Sequence, residues 1–128
     1  MSIEYTVKEW GVIEVYGKFP KTKIAALRES IRKWKWLVRY LEDNSDYPIP
    51  HASIESCSLC DIFRYDRDEK SICAGCPVRE RTGKALCEDT PIDGYSKYSN
   101  NQNRKRSIHY AKREVEFLES LLPKKLPK

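Results

Sequence analysis

Apolar residues recur at helical spacing in two stretches of this 128-residue chain. In both stretches the apolar positions lie alternately three and four residues apart, which places them along one stripe of a helix. The first stretch, residues 21–43, carries Ile24, Leu27, Ile31, Trp34, Val38 and Leu41. The second, residues 102–122, carries Ile108, Ala111, Val115, Leu118 and Leu122 and stops before Pro123. Because exposing either stripe to water is unfavourable, we expect two long amphipathic helices packed against each other.

The N-terminal region, residues 1–20, has a different pattern. β-Branched and aromatic side chains dominate residues 12–16 between two glycines, which predicts a short strand or hairpin. The polar stretch 94–103 shows no periodicity, so we interpret it as a loop whose asparagines could cap the second helix. The predicted fold is α+β and mainly helical, one domain over residues 1–128 that ends in a basic tail at 123–128.

Composition indicates the size of the core and the compartment of the protein. Charged residues make up 34% and hydrophobic residues 40% of the chain, so a purely apolar core would be thin. No window approaches the roughly 18 apolar residues that a membrane-spanning helix needs, and the N-terminus lacks the apolar core of a signal peptide. We therefore expect a soluble, cytoplasmic protein without membrane contact.

Positive charge is concentrated at the C-terminal end. Residues 99–128 carry a net charge of +5, residues 1–50 carry +2, and residues 51–98 carry −2. The middle of the chain is therefore acidic, and the cations that could meet an anionic partner lie on the flanking helices.

Five cysteines lie in residues 51–93, which we call the cysteine module. Their pattern is C-x2-C, twelve residues, C-x2-C, ten residues, C. Two such turns complete a tetrahedron of thiolates around zinc at about 2.3 Å. The predicted ligands of one structural Zn²⁺ are Cys57, Cys60, Cys73 and Cys76, with Cys87 as a substitute for one of them. Pro77 suits the first position of a short helix over PVRERT, which would place Cys76 at a helix N-terminus, where a thiolate is favoured.

Other interpretations of the cysteines remain open. A disulfide module would leave one of five cysteines over, and paired C-x2-C motifs in a reducing compartment are more often metal ligands. An iron–sulfur cluster also accepts four thiolates, although ferredoxin-type runs are more tightly spaced. A redox switch with Cys87 as the resolving thiol is a further alternative. His51 and His109 are weaker ligand candidates, and we interpret each as a surface or hydrogen-bonded histidine.

The stretch CAGCPVRERTGKALCEDTP follows SCSLC and a basic helix that contains tryptophan. In these residues the chain resembles a group of small uncharacterised proteins of tailed phages and prophages. The shared pattern is C-x2-C, then C-x2-C-P, then Thr-Gly and a further cysteine before Thr-Pro, and it covers residues 24–95. The resemblance implies a viral origin, hence a host-cell cytoplasm, and a shared use of the cysteines; it implies no activity.

The sequence contains few residue patterns typical of catalysis, so it favours a binding protein over an enzyme. The two histidines lie 58 residues apart, and no Gly-rich phosphate loop, H-E-x-x-H or G-x-S-x-G motif occurs. A zinc deaminase would need His-x-Glu and then P-C-x-x-C, whereas here the proline follows Cys76. Four thiolates would leave no position on zinc for water, so the expected role of the metal is structural.

Nucleic-acid binding, to DNA or to RNA, is the first functional hypothesis. Basic side chains cluster on the second helix and continue into the tail: Arg104, Lys105, Arg106, Lys112, Arg113, Lys124 and Lys125. Such clusters bind phosphates and release counterions, so their binding weakens with salt. Tyr95, Tyr98 and Tyr110 flank the cluster and could stack on bases. The alternative is a solvated helix face without a ligand.

Protein binding is the competing hypothesis, again with zinc purely structural. Trp34 and Trp36 lie about 200° apart around a helix, so both cannot enter one narrow seam. One of them must be exposed, or covered by the N-terminal strands or by a partner. Aromatic residues anchor many interfaces, and we assign Trp36 and Tyr40 to partner binding. The partner would be a host factor that the protein inhibits or redirects, or a second copy in a homodimer.

Replacing Cys57 or Cys76 by serine should remove zinc and unfold the cysteine module, because serine does not replace a thiolate ligand. Cys87→Ser should have a milder effect. Zinc content per chain and thermal unfolding of the three purified variants measure this. Stoichiometric zinc with unchanged thermal stability in both Cys57→Ser and Cys76→Ser would refute the ligand assignment.

Overall fold

The structure of the protein is a computed structural model that describes residues 3–7, 13–43, 48–51, 76–82 and 90–122. Within these residues lie the strands β1 (Glu4–Val7) and β2 (Ile13–Tyr16) and the helices α1 (Lys23–Asp43), α2 (Pro77–Thr82), α3 (Pro91–Asn100) and α4 (Arg104–Ser120). The predicted α+β, mainly helical class is confirmed. No helix in the described part of the chain has the length and apolar content that crossing a bilayer requires.

The two strands pair antiparallel, with Tyr5 opposite Val15. Because side chains alternate between the two faces of a strand, one face of the pair points inward. Ile3, Tyr5 and Ile13 are buried on that face. The strand predicted within residues 12–16 is therefore confirmed, and β1 is its partner.

Helix α1 begins one residue after Thr22, whose hydroxyl accepts a hydrogen bond from the amide of Ala25. This contact satisfies one of the free amides of the first turn. The buried stripe of α1 matches the predicted spacing through Leu27, Ile31, Trp34 and Leu41. Two stripe residues differ: Val38 is half-buried, and Ile24 is 36% exposed.

The two tryptophans of α1 are covered from different sides. Trp34 is 2% exposed, and its ring meets the edge of Tyr95 from α3 at 5.1 Å between centroids. Trp36 is half-buried and lies 5.5 Å from the ring of Tyr5 in β1. Of the alternatives open for the second tryptophan, the N-terminal strands provide the cover.

The loop predicted over residues 94–103 is wrong, since most of this stretch belongs to α3. Thr90 caps the helix by accepting from the amide of Ile92, and Pro91 occupies the first turn. Gly94 lies directly under the ring of Tyr110 in α4, so close that an added Cβ would be 2.4 Å from it. Contact with α4 therefore stabilises a helix that its glycine and polar residues do not indicate.

The connection from α3 to α4 also holds the segment 48–51. Asn103 caps α4 by accepting from the amide of Arg106, which confirms the expected asparagine cap. The side chain of Gln102 accepts from the amide of Ile49 at 2.8 Å and donates to its carbonyl at 3.3 Å. Tyr95 donates its hydroxyl hydrogen to the carbonyl of Pro50 at 2.6 Å. These bonds fix the chain that leaves α1 against the α3–α4 turn.

Gly94→Ala should destabilise the protein. In a helix without tertiary contacts, alanine in place of glycine would stabilise by about 1 kcal/mol. Here the new methyl group would overlap the Tyr110 ring, and overpacking of this kind costs about 1–3 kcal/mol. Chemical denaturation of Gly94→Ala measures the sign of the change.

The matched control for Gly94→Ala is the same substitution in a Tyr110→Leu background, where the ring is gone. There the cost of the added methyl group should fall, because the two sites are coupled. A more stable Gly94→Ala protein would contradict the close approach of α3 to α4.

Candidate nucleic-acid interface

One side of α1 carries only cations. Arg28, Arg32, Lys35 and Arg39 are all exposed. Spacings of four, three and four residues place them within about 60° of one another, along a line of about 16 Å. Helix α4 covers one flank of this line, and the strands cover the other. The line therefore forms the solvent-facing side of α1.

The outward half of α4 is also basic along its first turns. Its buried side consists of Ser107, Ala111, Glu114 and Leu118. Four cations of the predicted cluster are exposed on other sides of the helix: Lys105, Arg106, Lys112 and Arg113. Lys105 and Lys112 lie seven residues apart, as do Arg106 and Arg113, so each pair spans about two turns of the helix. The sequence-based cluster is thus accessible at these four positions.

Arg104, the first member of the predicted cluster, has a different role. Its side chain is half-buried, and it donates a hydrogen bond of 2.8 Å to the carbonyl of Leu41 in the last turn of α1. The last four carbonyls of a helix lack partners within it, and a cation there is favourable. Arg104 therefore connects α1 to the start of α4, and its part in nucleic-acid binding stays a prediction.

Two ion pairs cross the seam between α1 and α4. Lys35 lies 3.2 Å from Glu119, and Lys112 lies 3.3 Å from Glu42. The four side chains are 45–59% exposed, so each pair is a surface pair of the weak kind. The pairs show that α1 and α4 run antiparallel and that Lys35 and Lys112 both lie along the seam between them.

We call the combined cations of the two helices the outer basic surface. It consists of Arg28, Arg32, Lys35, Arg39, Lys105, Arg106, Lys112 and Arg113. Among the described residues, no carboxylate lies within ion-pair distance of Arg28, Arg39 or Lys105. Cations without an internal counter-ion attract phosphate from solution.

The three tyrosines near the cluster do not provide free stacking surfaces. Tyr95 is fully buried, and this burial raises the pKa of its hydroxyl, although the charge of Arg104 acts in the opposite direction. Tyr98 and Tyr110 stack on each other at 5.6 Å and 14°. The guanidinium of Arg106 lies 5.5 Å from the Tyr98 ring. The predicted base-stacking role is therefore wrong for Tyr95, and the other two rings pack α3 against α4.

The predicted partner-binding residues form an aromatic row with the first strand. Tyr40 stacks on Trp36 at 5.6 Å and 27°, and Trp36 contacts Tyr5 on the strand. Trp36 and Tyr40 are both half-buried. Trp36 and Tyr40 therefore stay partly accessible to solvent, whereas the contact of Trp36 with the buried Tyr5 stabilises the docking of the strands.

Of the predicted zinc ligands, the structure describes Cys76. Its side chain is 5% exposed, and its carbonyl accepts from the amide of Glu80, so Cys76 directly precedes α2 as predicted. The remaining cysteines (Cys57, Cys60, Cys73 and Cys87) and the tail residues Lys124 and Lys125 lie outside the described residues. In the described ranges, no group of three metal-binding side chains occurs. The zinc site stays a prediction.

Helix α2 connects Cys76 to both long helices. Lys23 at the start of α1 lies 2.6 Å from Glu80. Arg81 donates to the carbonyl of Ser120 at the end of α4 at 3.1 Å. The two weaker ligand candidates, His51 and His109, are exposed, as expected for surface histidines.

A scan against protein-family models and searches of curated proteins and of solved structures return no match. Function is therefore inferred from the geometry and chemistry of these residues.

Tyr95→Phe should lower the free energy of unfolding by about 1–3 kcal/mol, because the buried carbonyl of Pro50 loses its donor. Chemical denaturation at neutral pH measures this loss. Tyr16→Phe is the control, since Tyr16 is 52% exposed and should give no comparable change. Equal stabilities of Tyr95→Phe and the unchanged protein would show that the bond to Pro50 contributes nothing.

The same variant has a distinct pH dependence. Because folding raises the pKa of Tyr95 above its ordinary value near 10, the folded state disfavours loss of this proton. The stabilisation is complete below about pH 10 and is lost as the pH rises further. Tyr95→Phe should therefore lose less stability than the unchanged protein between about pH 9 and 11.

Proposed function

We propose that the protein binds nucleic acid, DNA or RNA, through the outer basic surface and that a structural Zn²⁺ stabilises the cysteine module. The line of Arg28, Arg32, Lys35 and Arg39 is the observation that carries the proposal. The line is exposed and lies on one helix, and Lys112 of α4 lies near its C-terminal end, where it pairs with Glu42. A viral origin and a host-cell cytoplasm, which the resemblance to small tailed-phage and prophage proteins implies, belong to the same proposal.

The length of the line suits a polyanionic strand. A DNA duplex carries one negative charge per about 1.7 Å of its axis, so a line of about 16 Å lies beside several phosphates. Since α1 is fixed by buried contacts on two sides, its cations need no folding step before they meet phosphate. The exposed carboxylates Glu42 and Glu119 lie in the seam, where each already faces a lysine.

The proposed zinc site would support this surface from one end. Bound by Cys57, Cys60, Cys73 and Cys76, the metal would fix the chain that enters α2. The contacts of Lys23 with Glu80 and of Arg81 with Ser120 connect α2 to both basic helices. Zinc in this role supplies folding free energy and no chemistry.

Binding to generic DNA should weaken steeply as salt rises from about 50 to 200 mM. The double substitution Arg28→Gln/Arg39→Gln should reduce the slope of log K against log[salt] by about 1.8, because each lost phosphate contact removes about 0.9. Fluorescence anisotropy with a labelled duplex measures both quantities.

Lys18→Gln/Lys21→Gln is the matched control for this pair. It removes the same charge from two exposed residues in the connection before α1, and it should leave the slope nearly unchanged. Equal effects of the two double variants would refute the outer basic surface as the binding site. An absence of binding even at low salt would refute nucleic-acid binding altogether.

A second candidate function is protein binding through the aromatic row. The observation that favours it is that Trp36 and Tyr40 stack on each other and each stays partly exposed. In this alternative, the ligand is a host factor or a second copy of the chain. Sedimentation of the unchanged protein and of Tyr40→Ala tests the second case. A dimer that dissociates on this substitution would support it, and a monomer in both would exclude a homodimer.

A further inference from the structure

A groove of about 400 Å³ lies on the outer basic surface, between α1 and the end of α4. Its lining residues are Arg28, Ile31, Arg32, Lys35, Glu119 and Leu122. Ile31 is 6% exposed and Leu122 is half-buried, whereas the charged residues are exposed. The groove therefore has an apolar floor and a mainly cationic rim. A nucleotide has the complementary parts, a flat nucleobase with apolar faces and an anionic phosphate.

Arg32 is held in one orientation at the rim. Its Nε donates to both carboxylate oxygens of Glu29 at 3.1 Å, and its Nη2 donates to Oε2 of Glu29 at 2.8 Å and to the carbonyl of Ile3. The guanidinium also lies 5.4 Å from the ring centroid of Tyr5. A guanidinium plane fixed in this way is a surface on which an unpaired base can stack.

Arg28 and Lys35 supply the charge for a phosphate. No carboxylate lies within ion-pair distance of Arg28 in the part of the chain that the structure describes. Lys35 is paired with Glu119 across the seam, with side chains 59% and 45% exposed. A pair this exposed contributes little to stability, so Lys35 can exchange its carboxylate for a phosphate oxygen.

From these contacts we propose that the groove binds one unpaired nucleotide and that the protein prefers single-stranded nucleic acid to duplex. The inference rests on the proposed nucleic-acid binding by the outer basic surface. In a duplex the nucleobases are paired inside, so only phosphates reach the rim and the apolar floor of the groove stays empty. A single strand can place a nucleobase over Ile31 and Leu122 while its phosphate contacts Arg28. The volume falls within the range of about 300–1,000 Å³ typical of small-ligand sites.

The test measures the affinity of the full chain for one labelled 12-nucleotide strand. The strand is used once free and once annealed to its complement. Charge alone favours the duplex, because its phosphates are denser and release more counterions. Contact with a base is therefore required if the free strand binds more tightly. We expect a preference of about 5-fold for the free strand, which is the scale of one modest apolar contact. A parallel arm uses the RNA strand of the same sequence and should show the same preference.

Leu122→Gln and Leu121→Gln form a matched pair of variants. Leu122 lines the apolar floor of this groove, whereas its neighbour Leu121 lines a different groove beside Lys23 and Ile24. Both are half-buried beyond the end of α4, and neither change alters charge. Leu122→Gln should abolish the single-strand preference and leave the salt slope unchanged. Leu121→Gln should leave the preference intact.

Tighter binding of the duplex by the unchanged protein, or equal loss of preference in both variants, would overturn the groove assignment. Salt-dependent binding of the free strand and of the duplex with equal affinity would overturn the groove alone and leave the proposed function standing. Failure to bind either form at low salt would overturn both.

Discussion

Trp34 and Trp36 leave α1 about 200° apart, and each ring has to be covered by a different part of the chain. Tyr95 of α3 meets the first ring, and Tyr5 of β1 meets the second. With α4 packed beside α3, one sector of α1 has no neighbour among the described residues, and that sector carries the cations from Arg28 to Arg39. The location of the outer basic surface is therefore a consequence of how the apolar rings are covered.

The cover of Trp34 depends in turn on the close contact between α3 and α4. Tyr110 lies over Gly94 and stacks on Tyr98, one helical turn further along α3. A larger residue at position 94 would push α3 away, and Tyr95 on the neighbouring position would move with it. A small residue on one helix and an aromatic ring on the other thus determine how deeply the tryptophan is buried.

How far the sequence predicts this fold depends on whether the stabilising contacts are local. Periodicity and capping residues predict α1, α4 and the strand at 13–16 to within a few residues, because spacing and caps are encoded in adjacent positions. Helix α3 is missed, since its stability comes from Tyr110, which lies sixteen positions after Gly94. Propensity alone favours a loop there, and tertiary contact overrides it.

The same distinction holds for the candidate site. Lys105, Arg106, Lys112 and Arg113 are exposed as predicted, because charged side chains rarely enter a core without partners. The burial of Tyr95 and the structural bond of Arg104 are not predicted from sequence, since their partners are the carbonyls of Pro50 and Leu41, at distant positions. The groove joins residues more than eighty positions apart, so no local pattern predicts it.

A surface with this many cations on two adjacent helices has to limit its own repulsion in the free protein. Glu42 and Glu119 do so, because each lies in the seam and faces a lysine of the opposite helix. Both pairs are exposed and individually weak, so an incoming phosphate can replace either carboxylate without large loss of stability. Under the proposed function, the lysines serve helix packing in the free protein and phosphate binding in the complex, with no rearrangement of the backbone between the two.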